Sequence, residues 1–323
     1  TLIGQAWNVS ATPIDFMGLN GSTYFSTNLV NIAAINNTAP TITSASIYPP
    51  NPTTIDNLTA NVSGLTDANG DNTTVTYNWY VNGTSITVLN LPFTNHLYSS
   101  NESYTEDYSG NSYSGFIGYN GMGDPSEPVF TQNCILGSCY TFDGVDDFIS
   151  VGNASNLNFL ANESFSVSVW FKTSQTVTRE LILKSKTSQA TLKGYEISSD
   201  GASDELTFSI GNGTIAPSTS SSNLNLSNGQ WHQVVGVRDT ASDKLFIYLD
   251  GVFISSAIDT TVGNIGSSGE LALGYNYQST SPTNFFNGSI DEVRIYTRAL
   301  SYEQVNTLYT TEGSQLPNNH TEA

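Results

Sequence analysis

Hydrophobic and polar positions alternate along most of the chain. In "SFSVSVWF" (164–171), Phe165, Val167, Val169 and Phe171 share one face. A two-residue period marks a β-strand with one face in a core. "WHQVVGV" (231–237) follows the same rule less strictly, and "FFNGSIDEVRIY" (285–296) reads as a further strand. "KLFIYLDGVFIS" (244–255) is two strands about Asp250-Gly251, a dipeptide suited to a tight hairpin turn. Only "SYEQVNTLY" (301–309) carries a helical stripe, made by Val305, Leu308 and Tyr309. Ser301 and Gln304 open it as a capping box.

The upstream third is weaker. "TLIGQAWNVS" and "STNLVNIAAI" are strand-like, and Pro40 closes the segment, so residues 1–40 are expected as an extended N-terminal arm. From Thr41, four short strands are expected in "TITSASIYP", "TIDNLTANVS", "TTVTYNWYV" and "TSITVL", with Asn82-Gly83 as a hairpin turn. This stretch resembles the first half of an immunoglobulin-like domain of the kind repeated in prokaryotic surface proteins, archaeal ones among them. The likeness rests on P-x-x-P at 49–52, "DANGD" at 67–71 and "YNWYVNG" at 77–83. A full domain of that kind needs about 90–100 residues. Residues 41–87 are therefore expected as an incomplete sandwich with open strand edges.

Charge narrows the partners. Charged residues are 11% of the 323, the net charge is −19, and the first basic residue is Lys172. Nucleic acid and anionic membrane surfaces are excluded as partners, because both need basic clusters. Divalent cations and uncharged glycans remain. No apolar run reaches about 18 residues, so no membrane span is expected. The chain begins at Thr1 and reads as a mature secreted product. Fourteen N-x-[ST] sequons point the same way: Asn8, Asn20, Asn36, Asn57, Asn61, Asn72, Asn82, Asn101, Asn153, Asn162, Asn212, Asn225, Asn287 and Asn319. Cys134 and Cys139 are the only cysteines. Their C-x4-C spacing suits a local disulfide better than a zinc site, the alternative being two free thiols.

Seven pieces in family order resemble a laminin-G-like domain of the concanavalin A-like lectin/glucanase superfamily. They are "LNLPF" (89–93), "DYSGNSYSG" (107–115), "CYTFDGVDDFISV" (139–151), "FSVSVWFK" (165–172), "QWHQVVGVRD" (230–239), "LFIYLDG" (245–251) and "NGSIDEVRIYTRALS" (287–301). The resemblance implies a jelly-roll sandwich over 88–312, followed by a tail at 313–323. The expected fold class is all-β: an incomplete immunoglobulin-like sandwich, a concanavalin A-like jelly roll and one short C-terminal helix. The resemblance also implies a structural calcium beside the Phe-Asp-Gly turn and the Ile-Asp-Glu strand. Asp143 and Asp291 would hold it with Asp146 as a third ligand, while Asp147 caps the turn. The alternative is that these carboxylates only accept bonds from backbone amides.

The superfamily includes glucanases, whose hydrolysis needs two carboxyl groups about 5–9.5 Å apart. No Glu-x-Asp-x-x-Glu run exists, and the neighbours Asp204-Glu205 and Asp291-Glu292 point to opposite faces of a strand. His96, His232 and His320 lack a nucleophile context, so no catalytic residue is expected. Two functions compete. One is a secreted, glycosylated subunit of a cell-surface or extracellular filament, a homo-oligomer joined head to tail by strand exchange through residues 1–40. The other is a monomeric glycan-binding adhesin module, with Tyr275, Tyr277 and Trp170 as candidate stacking aromatics.

Overall fold

The computed structural model describes residues 38–53, 58–70, 73, 75–99, 102–119, 124–132, 134–176, 178–185, 191–200, 202–276 and 284–314, with strand backbone at 6–7, 10–11, 24–25 and 30–31. The chain divides into two compact units, Thr1–Val75 and Thr76–Ala323.

In the first unit, Ala6–Trp7 pairs with Val30–Asn31 and Ser10–Ala11 with Tyr24–Phe25, both antiparallel. The segment expected as an extended arm thus pairs with itself, and strand exchange through it finds no support. Ser44–Tyr48 forms a hairpin with Thr59–Ser63, extended by a bridge between Thr41 and Thr66. These are the first two of the four strands expected there. The other two runs belong to the second unit. Tyr80–Val81 turns back onto Thr84–Ser85 through Asn82-Gly83, both in the left-handed region (φ 52° and 81°) as a tight turn of this kind requires. Thr87–Leu91 joins the main sandwich by pairing with Asn287–Tyr296. The unit boundary therefore falls at 75/76, ahead of the 87/88 expected from sequence.

The second unit is two antiparallel sheets face to face. One has nine strands, in the order Leu97–Ser99, Glu102–Thr105, Gly115–Ile117, Ile149–Gly152, Leu271–Leu273, Thr178–Lys184, Lys193–Asp200, Glu205–Asn212 and Ser218–Ser221. The other has eight. Its path runs Val129–Gln132, Ser138–Asp143, Asn287–Tyr296, Phe165–Lys172, Trp231–Asp239, Lys244–Leu249 and Val252–Ile258, and Thr87–Leu91 adds beside Asn287–Tyr296. The inner faces share one core. Phe165, Val167, Val169 and Phe171 meet Tyr195, Ile197, Phe208 and Leu273 across it, so the alternation in the sequence reports this core directly. Trp231–Asp239 and the Asp250-Gly251 turn also form as the pattern predicts.

The helix spans Tyr302–Gly313 with both bonds of the capping box at Ser301 and Gln304. Val305 packs with Val235, Val237, Tyr248, Tyr296 and Leu300, a second cluster on the outer face of the eight-stranded sheet. No helix among the described residues is long and apolar enough to cross a membrane.

Candidate functional site: the outer face of the nine-stranded sheet

Pairing lines up one row of side chains across the nine-stranded sheet. Tyr104 is opposite Phe116, then come Ser150, Ala272, Leu183, Glu196, Ser209 and Ser218, each opposite the next. The neighbouring row, which includes Ile117, Ile149, Leu273, Ile182, Ile197 and Phe208, lies in the core. Successive residues alternate faces, so the first row points outward.

Aromatic rings gather on this face. Phe148, Ala272 and Tyr275 form a buried cluster against which Phe285 packs. Phe148 and Tyr275 have ring centroids 4.6 Å apart, and Tyr275 stacks on Phe285 at 5.9 Å. Tyr119 meets the edge of Phe148 at 4.5 Å while remaining 62% exposed; Phe116 is 47% exposed. A local turn explains where Tyr119 sits. Gly118 has φ +66°, and its amide donates to the Phe148 carbonyl at 3.1 Å. The Tyr119 amide donates to Ser126 Oγ at 3.0 Å, and the Phe148 amide to the Ser126 carbonyl at 3.3 Å. A side chain at 118 would meet Ser126 and Glu127 at 3.0–3.1 Å.

The charges acting on Tyr119 are all negative. Partial burial pushes its phenol pKa up, and Glu270, Asp124 and Asp146 add to the shift. Burial and then Glu270 push Tyr275 up in the same way. Glu270 is held by a hydrogen bond from Ser150 Oγ at 2.7 Å. Of the chain's nine Lys and Arg residues, Lys184, Arg238 and Arg294 are buried and bonded. Lys184 Nζ donates to Asn153 Oδ1 at 2.9 Å and to the carbonyls of Ser267 and Gly269.

Beside the aromatics, carboxylate oxygens of Asp143, Asp146 and Asp147 lie within 4.8 Å of one another. The turn is built by the acids themselves. Asp147 Oδ2 accepts from the Asp143 amide at 2.7 Å, the capping role expected for it, and Asp143 Oδ1 accepts from the Val145 amide at 2.7 Å. Burial, followed by the charges of Asp143 and Asp146, raises the Asp147 pKa to about 6 against the pull of the Asp143 amide. Three hard oxygen donors fit a calcium ion better than a softer metal.

Asp291 is not part of this group. Asp143 pairs with Asn287, and Asp291 lies four residues further along that strand, about 13 Å away. Its buried carboxylate accepts from the amides of Ile135 (3.0 Å), Leu136 (3.4 Å) and Glu292 (2.8 Å). Ile135 and Leu136 belong to the loop closed by the Cys134–Cys139 disulfide, whose Cα atoms are 5.8 Å apart. Asp291 thus anchors that loop, while its neighbour Glu292 bonds to Arg294. Asp143 and Asp291, expected to share one ion, thus lie apart, and the carboxylates found together are those of Asp143, Asp146 and Asp147.

The candidate stacking residues also change. Trp170 is 1% exposed and donates to Glu312, and Tyr275 is buried in the cluster, so neither offers a free ring face. Tyr277 lies outside the described residues. Phe116 and Tyr119 are the exposed rings here, and no local motif marks them in the sequence. His232 sits 2.8 Å from Asp250 Oδ2 and 3.3 Å from Asn228 Oδ1, tying a strand to the 250–251 turn. Among the sequons, Asn61, Asn82, Asn153, Asn162, Asn225 and Asn287 are exposed and Asn212 is partly so. Asn212 and Asn287 already use the amide nitrogen a glycan would take, donating to the carbonyls of Val262 and Asp143, both at 2.7 Å. Asn8, Asn20, Asn36, Asn57, Asn72, Asn101 and Asn319 lie outside the described residues.

The sequence profile of the concanavalin A-like lectin/glucanases superfamily, in its laminin-G form, matches residues 143–306. The chain belongs to that superfamily. No curated protein sequence matches it. Solved structures similar to this superfamily member include the binding domain of Paraclostridial Mosquitocidal Protein 1, at 14% identity and a TM-score of 0.52 over 70% of this chain and 52% of that one. The botulinum neurotoxin serotype G binding domain gives 16%, 0.51, 70% and 51%. The serotype D ligand binding domain in complex with N-acetylneuraminic acid gives 16%, 0.50, 70% and 51%. The chain spans about half the length of these structures, and at such identities the likeness is one of fold.

Proposed function

We propose that this superfamily member is an extracellular, non-enzymatic glycan-binding module that takes neutral sugars on the outer face of its nine-stranded sheet. The observation that carries the reading is the exposed pair Phe116 and Tyr119, set beside carboxylates that can accept hydroxyl hydrogen bonds. An aromatic face covers the apolar C–H side of a sugar ring, and carboxylates fix its hydroxyls. A solved domain of similar fold holds N-acetylneuraminic acid. Here the charges around Tyr119 are all negative, so an anionic sugar would be repelled. The disulfide and the sequons support an oxidising, extracellular setting. A filament built by exchange of residues 1–40 would first have to open the two ladders within that segment.

Tyr119→Ala is expected to weaken binding of a neutral oligosaccharide about tenfold, with the fold retained because the side chain is mostly exposed. Calorimetric titration of glycans selected on an array measures it. Unchanged affinity in a Phe116→Ala/Tyr119→Ala double variant, or a preference for sialylated over neutral glycans, would count against this face.

We place the calcium expected from the family resemblance at Asp143, Asp146 and Asp147. Excess chelator should lower the melting temperature, since an ion that binds only the folded state adds about 2.7 kcal/mol at 100 times its Kd. In chelator, the raised Asp147 pKa makes its stabilising contribution greatest below 3.8, and that contribution is lost as pH rises through about 6. Asp143→Asn/Asp146→Asn should remove the share of the chelator effect that this turn contributes. A melt indifferent to calcium in the unaltered protein would remove the ion from this turn.

A further inference from the structure

On the same outer face, two carboxyl groups meet without an ion-pair partner among the described residues. Glu180 stands opposite Ser198, and Glu196 is two residues along the same strand, hence on the same face. A register shift between Glu180 and Ile182 interrupts the strand pairing there. Glu180 is 6% exposed. Its Oε1 accepts from Asn276 Nδ2 at 3.0 Å, whereas its Oε2 is buried and without a hydrogen-bond partner. Glu196 faces it electrostatically and is bonded to the Ser209 hydroxyl, its neighbour in the outward row. None of the ion pairs among the described residues includes either acid. A buried carboxylate left in this state is costly, so something positive belongs between the two.

We propose that Glu180 and Glu196 hold a divalent cation, calcium, at a site separate from the Asp143–Asp146–Asp147 turn. The donor set is all hard oxygen: two carboxylates, the Ser209 hydroxyl and the Asn276 amide. The nitrogen and oxygen of an asparagine amide exchange places by a half-turn, which would bring Asn276 Oδ1 to the ion in place of Nδ2. Calcium accepts six to eight oxygens in loose geometry, with water completing the shell, and softer metals would want the nitrogen or sulfur this site lacks. Asn276 directly follows Tyr275, so the ion would also fix the end of the segment that carries the aromatic cluster. The competing occupant is a proton shared by the two acids. The two differ in pH behaviour. Burial and Glu196 raise the Glu180 pKa from 4.5 to about 8. Without a cation, its contribution to stability is complete below pH 4.5 and is lost as pH rises through about 8. A bound cation removes that loss.

The test is calorimetric titration of the chelator-stripped full chain with calcium chloride, in the unaltered protein, in Glu180→Gln/Glu196→Gln and in Asp143→Asn/Asp146→Asn. The aspartate variant should keep a binding event that the glutamine variant loses by at least 100-fold. Ser209→Ala, which disturbs the fold less, should weaken that event several-fold. Melting curves across pH 5–8 should depend less on pH on adding calcium in the unaltered protein, and without calcium the glutamine variant should lose the part of the pH dependence that Glu180 causes while keeping the part due to Asp147. Equal calcium stoichiometry in the unaltered and glutamine proteins, no calcium bound by either, or a pH dependence that millimolar calcium leaves unchanged would overturn the proposal.

Discussion

Glu312→Ala is expected to lower the unfolding free energy by roughly 3–5 kcal/mol, because it takes away one of the two carboxylates paired with a buried guanidinium together with the acceptor of two further buried donors. Glu312 lies in the last turn of the helix Tyr302–Gly313, where a carboxylate opposes the helix dipole and no basic residue offsets it. Tertiary contacts must hold it there. Its carboxylate accepts from Trp170 Nε1 at 2.5 Å and Gln233 Nε2 at 2.9 Å, and pairs with Arg294. Arg294 in turn binds Glu292 and donates to Asn90 Oδ1 at 3.1 Å. Tyr309 stacks on Trp170 at 5.5 Å, so helix and sheet are joined through one tryptophan. Alanine would leave three donors unmet on a dry face. Glu312→Gln keeps one acceptor and loses the charge, so a smaller loss is expected. Chemical denaturation of both variants measures the difference. A change below about 1 kcal/mol for alanine would show that the helix is held by its apolar face alone.

The sandwich was legible because its signal is local. Phe165, Val167, Val169 and Phe171 alternate within eight residues, and the Asp250-Gly251 turn and the Ser301 cap depend on near neighbours. The Asp147 cap on the Asp143 turn was visible for the same reason, whereas Asp291 was grouped with that turn although it lies further along the neighbouring strand. What joins distant strands was not. Glu180 and Glu196 face each other only through the pairing of Thr178–Lys184 with Lys193–Asp200, shifted at Leu181. Phe116 comes into line with Ser150 and Ala272 only through two further pairings. Trp170 illustrates a different limit. Alternation places it on the outward side of its strand, but the helix covers that side, through a contact 142 residues away in sequence. The boundary at 87/88 was misplaced because the Asn82-Gly83 hairpin looks alike in either unit. Its partners decide its membership: Asn78 donates to the Ser109 carbonyl at 2.9 Å, inside the second unit.

Asp291→Ala should cost about 3 kcal/mol or more, and the cost should be the same in calcium and in chelator. Asp291 is fully buried, and its two oxygens serve three backbone amides. A buried amide left without a partner costs roughly 1–3 kcal/mol. The Ile135 and Leu136 amides lie in the loop closed by Cys134 and Cys139, and the disulfide keeps that loop short whether or not its amides are met. The loss therefore falls on the native state, with little relief from unfolding of the loop. Burial and the neighbouring Glu292 push the Asp291 pKa well up, while the three amides pull it down. Asp291→Asn should accordingly be milder than alanine, since one amide oxygen still faces the loop. Asp146→Asn is expected to behave in the opposite way, costing little in chelator and reducing the stabilisation that calcium gives. Thermal melts of Asp291→Ala and Asp146→Asn with and without calcium separate the two roles. If Asp291→Ala instead cancels the calcium effect, the ion is bound at Asp291 and the triad is only a turn.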